Sequence, residues 1–111
     1  MTTPELDARI AKWQAMATQF PKSELPRFSL AKAYLEAQRL EEAAEAFAEV
    51  GRLKPDFMMA FVHRAEALMA LGRNDEARAA CERGLELAIA QHHSGPQEDC
   101  ERMLEELSGA A

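Results

Sequence analysis

A chain of 111 residues with 48% hydrophobic and 29% charged side chains can fill one continuous core but not two, so a single domain over residues 1–111 is expected. Nineteen Asp and Glu against 13 Lys and Arg give a net charge of −6, and the basic residues are scattered rather than striped, which argues against a nucleic-acid partner. The chain does not open on a basic segment followed by an apolar core, and no stretch approaches the ~18 apolar residues of a membrane span, so the expectation is a cytoplasmic location and no membrane partner.

Only 6% of the residues are aromatic, and Ala, Leu, Glu and Arg dominate, so local propensity favours helix almost throughout. Apolar residues recur at helical spacing in blocks separated by breaker clusters, which predicts about six helices. The first runs from about Pro4 to Phe20, with Thr3 as N-cap, Pro4 at the first helical position and Pro21 ending it. The second follows Ser23 and reaches about Gln38, with Pro26 tolerated in its first turn. The third covers about Glu41 to Leu53 and is closed by Pro55. Asp56 is expected to cap a fourth helix that ends near Gly72, and Asn74 a fifth that carries Asp75 and Glu76 in its first turn and extends to about His92. Ser94 with Gln97 forms a capping-box pattern that opens a sixth helix, ending near Ser108 and Gly109.

The strongest signal is a repeat. Pro21 and Pro55, Ala31 and Ala65, Ala43 and Ala77, and Leu53 and Leu87 each stand 34 positions apart, and Trp13, Phe47 and Cys81 continue the step. Several positions keep one register together, which is the mark of a stacked helix-turn-helix unit.

On these residues the chain resembles the tetratricopeptide repeat family. Leu30, Ala31 and Tyr34 stand at the family's Leu, Gly and Tyr positions, Ala43 and Phe47 at its Ala and Phe, and Pro55 at its terminal proline, while Arg27 stands where Trp is common. In the next repeat Phe61, Ala65, Leu68, Ala77 and Cys81 follow the pattern, whereas Arg64 and Ile89 depart from it. The resemblance covers about Glu5 to Ile89. It implies an all-α, right-handed stack of antiparallel helix pairs, with a partial repeat at 4–21, repeats at 24–55 and 57–92, and a capping helix at 96–108.

Candidate chemical residues have plain structural readings. His92 and His93 are adjacent, so on a helix they point about 100° apart and do not share a metal. No nucleophile motif accompanies His63, and no Gly-rich phosphate loop is present, so no enzyme activity, metal or cofactor is expected. Cys81 and Cys100 read as reduced core residues.

The fourth helix stands apart, because Phe57, Met58, Met59, Phe61, Val62, Leu68, Met69 and Leu71 exceed what one buried stripe holds. Phe61, Ala65, Leu68 and Leu71 make its core face. The resemblance then implies a concave groove that binds a partner protein or peptide, lined by Leu25, Phe28, Lys32 and Leu35 from one repeat and Met59, Val62, Glu66 and Met69 from the next. The family's clamp for a chaperone C-terminal carboxylate is largely absent, since its positions hold Phe28 and Lys32, then His63, then Glu98 and Arg102. With Glu66, and Glu98, Glu101 and Glu105 on the expected inner face of the last helix, the groove is expected to favour an apolar segment bearing Lys or Arg. A scaffold, adaptor or co-chaperone role follows. A homodimer burying the Met-rich face remains open, as does the weaker reading of a small-ligand-binding or enzymatic protein.

Overall fold

The computed structural model describes residues 3–109; Met1, Thr2, Ala110 and Ala111, the ends of the domain expected over 1–111, lie outside them. Six helices follow in chain order: α1 Pro4–Gln19, α2 Glu24–Glu36, α3 Leu40–Leu53, α4 Met58–Ala70, α5 Asn74–Ala90 and α6 Ser94–Gly109. No strand occurs among the described residues. The protein is therefore an all-α stack of helices, as its repeat pattern implies.

Local chemistry explains most of the boundaries. The Thr3 hydroxyl accepts the Leu6 N–H at 3.1 Å, and Pro4 opens α1, where its missing N–H costs no bond. Two expected caps are corrected by one residue each. Phe57, not Asp56, is the N-cap of α4, and Arg73, not Asn74, is that of α5, with Asn74 already helical. The first turns are tied by side chains instead. Arg39 donates to both carboxylate oxygens of Glu42 at 2.7 and 2.5 Å, and 34 positions on Arg73 does the same to Glu76 at 2.9 and 2.8 Å.

Three helices end sooner than the apolar pattern suggests, all by one device. Gln38, Gly72 and His92 adopt left-handed backbone with φ of 61°, 75° and 59°. In each case the next N–H reaches back to a carbonyl five residues earlier: Arg39 to Tyr34, Arg73 to Leu68 and His93 to Ala88, each at 2.9 Å. Such a turn satisfies carbonyls at the helix end and sends the chain straight into the following helix. His92 is thus a turn residue and not part of α5.

Short turns lay each helix antiparallel on the next, and consecutive helices make nearly all the interhelical contact. Among pairs that are not consecutive, α4 and α6 touch lightly, and neither α2 with α4 nor α3 with α5 holds a comparable contact. The approach of α4 to α6, and the Phe28 and His63 rings 6.1 Å apart between α2 and α4, agree with the arrangement the resemblance implies, in which α2, α4 and α6 form the inner side of a curved stack. Leu6, Ile10, Ala31, Tyr34, Ala43, Phe47 and Val50 form one core, and Val62, Leu68, Cys81, Leu87, Cys100, Met103 and Leu107 belong to a second; half-buried Leu35 packs against both. Ala31, Ala43, Ala65 and Ala77 are all 0% exposed. The 34-residue step thus marks the close helix crossings, where only a methyl group fits.

Candidate functional site

Helix α4 lies inside the stack and is buried on more than one side. Met58, Ala60, Val62, Ala65, Ala67 and Leu68 are buried, whereas Phe61 and Leu71, expected in the core stripe, are half-buried at its edge. Val62 corrects the expected groove. It is 1% exposed, and a Cβ placed on Gly84 would meet both Val62 Cγ2 and Cys100 Sγ at 3.2 Å. The bare backbone of α5 at Gly84 lets these two side chains close over one another, so Val62 belongs to the core and not to a surface. Met59 and Met69 remain half-buried, packed on the second core with part of each side chain open.

The neighbouring wall comes from α2. Leu25 is 60% exposed, Phe28 and Leu35 are half-buried, and Lys32 is exposed with its Nζ 5.7 Å from the centre of the Phe28 ring. Phe28 is locked edge-on to Phe47 at 5.8 Å and tilted against Phe57 at 4.6 Å, and the His63 ring lies 5.4 Å from that of Phe47. This aromatic group joins α2, α3 and α4 and was not foreseen from the sequence. The only hint was that Phe28 and His63 occupy positions where the resembled family places polar ligands. Glu66 is exposed, with Oε1 3.4 Å from His63 Nδ1, a buried nitrogen that has no hydrogen-bond partner among the described residues.

The acidic residues of α6 sit elsewhere than expected. Cys100, Met103 and Leu107 form its buried face, and Glu98, Glu101 and Glu105 are exposed on the opposite side. They face away from α5 at the open end of the stack. Arg102, at the last clamp position, pairs with Asp99 at 3.2 Å and with Glu106 at 4.0 Å. At the other end, Arg9, Trp13, Ser29, Lys32, Ala33 and Glu36 line a depression of about 220 Å³ between α1 and α2, crossed by an Arg9–Glu36 pair at 2.5 Å.

Burial pushes the thiols of Cys81 and Cys100 up to about 11, above an ordinary thiol value of 9.0. The folded state thus holds the protonated forms. Stability is complete below pH 9, falls as the unfolded chain ionises first, and is lost progressively toward pH 11. Urea midpoints measured across that window should decline for the native chain and flatten in a Cys81→Ala/Cys100→Ala protein. Among the described residues no group of three His, Cys, Asp or Glu stands close enough to hold a metal ion, and no helix is long and apolar enough to cross a membrane.

No curated protein sequence matches this chain. A family model described as a tetratricopeptide repeat matches residues 25–49 and 58–83, the helix pairs α2–α3 and α4–α5. Among solved structures, the chain is similar to PcrH in complex with the chaperone-binding region of PopD, with a TM-score of 0.90 at 20% identity over 96% of this chain and 80% of that one. It is also similar to the first repeat domain of Spaghetti bound to an HSP90 peptide, with a TM-score of 0.84 at 22% identity over 96% and 79%. A protein from Bordetella parapertussis gives 0.76 at 23% identity over 99% and 91%. With the 34-residue step, the four closely packed alanines and the stacked helix pairs, these findings agree on one assignment. The chain belongs to the tetratricopeptide repeat family.

Proposed function

We propose that this protein is an interaction module that holds a segment of a partner polypeptide against the inner face of α2 and α4, acting as a scaffold, adaptor or co-chaperone without catalysis. The observation that carries the reading is the row of partly open apolar side chains on those two helices: Leu25, Phe28, Leu35, Met59 and Met69. All but the exposed Leu25 are anchored from behind by the core, so their open parts are positioned before any partner arrives and little ordering entropy remains to oppose binding. Thioether side chains adapt their shape to different apolar partners. Several structural neighbours were solved with a partner peptide bound, which supports the same use here.

Charge refines the partner's chemistry. Glu66 is the exposed acid on this face and Lys32 the exposed base, and the carboxylates of α6 add negative potential at one end. An apolar segment bearing Lys or Arg fits better than an acidic one. Peptide arrays probed at low and high salt should show that preference, strongest at low salt. Met59→Glu should weaken binding about tenfold or more, by placing a charge in the apolar contact, and Glu66→Lys should shift selection toward acidic segments. A preference for acidic peptides, or indifference to both substitutions, contradicts the reading.

A further inference from the structure

Among the described residues, the Lys and Arg side chains without a carboxylate partner are gathered at one end of the molecule, on or between the same two helices that carry the unpaired acids Glu5, Asp7 and Glu24. Lys12, Lys22, Arg27 and Lys32 are the Lys and Arg side chains that pair with no carboxylate among the described residues, and all four lie on α1, α2 or the turn between them. At the opposite end, Glu98, Glu101 and Glu105 of α6 are exposed and equally unpaired. Their spacing of three and four residues sets them in one row on the face of α6 turned away from α5. Half-buried Leu104 lies at the margin of that row.

The cationic end also offers an apolar seat. Trp13, the only tryptophan, is half-buried yet belongs to neither core. Lys12 Nζ stands 5.0 Å from the centre of its ring, and the depression between α1 and α2 opens beside it, with Arg9 and Lys32 at its rim. Glu36 is the one acid lining that depression, and it is already engaged by Arg9. Glu5 and Asp7 precede Arg9 by four and two residues on α1, and neither lines the depression.

We infer that the Trp13 depression receives the acidic face of α6 from a second copy of this chain. Glu98, Glu101 and Glu105 would meet Lys12, Lys32 and the free N–H groups of Arg9, and Leu104 would lie against the Trp13 ring. The two surfaces stand at opposite ends of the stack, so a molecule does not satisfy its own. The contact is head to tail and leaves a free surface of each kind at the ends of every assembly, which lets it grow beyond a dimer. Exposed charge pairs dominate it, so it is weak, fast and screened by salt. It shares Lys32 and the α6 carboxylates with the inner-face reading but not the apolar row of α2 and α4, so peptide binding there survives if the copies do not associate, and the reverse holds as well.

Light scattering on the whole chain over a dilution series tests this. At low ionic strength the mass should climb with concentration past twice 12.3 kDa, with a blue shift of Trp13 emission, and return to the monomer at ~0.5 M salt. A Lys12→Glu/Lys32→Glu protein and a Glu98→Lys/Glu101→Lys protein should each stay monomeric over the same range, their association about tenfold or more weaker. An equimolar mixture of the two should associate again, because each presents the surface the other lost. Circular dichroism of each variant separates loss of the contact from loss of the fold. A native chain that stays monomeric at every concentration, a salt-insensitive dimer that stops at two copies, or a folded mixture that does not recover association would overturn the inference.

Discussion

Phe47→Ala is expected to destabilise the protein by about 3–5 kcal/mol, a large share of the roughly 5–15 kcal/mol that holds a domain of this size. Phe47 is 0% exposed and sits in the first core among Ala31, Tyr34, Ala43 and Val50. Its ring contacts that of Phe28 edge-on at 5.8 Å and faces His63 at 5.4 Å. Truncation leaves a cavity the size of a ring between α2, α3 and α4, and helices fixed by neighbours on both sides close it only in part. Phe28 also loses the wall behind it, so partner binding should weaken beyond what unfolding alone explains. At about 4 °C or more per kcal/mol, the melting temperature should fall by well over 10 °C. Leu25→Ala is the control: with Leu25 60% exposed, its change should be small. Calorimetry on the two variants decides between a packed crossing and a loose one.

Ala43→Leu and Ala77→Leu form the second pair. Both alanines are 0% exposed, at the crossings of α3 with α2 and α5 with α4, opposite the equally buried Ala31 and Ala65. Three added carbons have nowhere to go without moving a helix, and overpacking of this kind costs about 1–3 kcal/mol. The similarity of the two losses carries the information, because the positions are related by the 34-residue step and each is the fourth residue of its helix. Variants that both melt within a degree of the native chain would show that the close crossings lie elsewhere.

Periodic features were legible in the sequence, and those set by neighbours were not. Six helices, their order and the small residues at the crossings follow from spacing, because a position repeated every 34 residues meets the same surroundings each time. Gln38 and His92 escaped notice because a left-handed turn is usually announced by glycine, as it is at Gly72. Asp56 and Asn74 looked like caps, yet the chain leaves its turns one residue later and uses Arg–Glu pairs to hold the first turns of α3 and α5. Val62 could not be placed from periodicity, since α4 is apolar around most of its circumference and its pattern marks no single face as the open one. What buries Val62 is the pairing of Gly84 with Cys100 across α5 and α6, a contact between positions that no single helix pattern reveals. The gathering of the unpaired cations on α1, α2 and their turn was likewise hidden, because the sequence does not say which of the 13 Lys and Arg find a carboxylate.

The inner face is tested most directly by mapping backbone amide shifts by NMR as an apolar, Lys-bearing segment chosen from the array is added. Perturbations should run along α2 and α4, concentrated around Phe28, Leu35, Met59, Glu66 and Met69. Shifts confined to the outer surfaces of α3 and α5, or to α1 and α6 alone, would contradict the account.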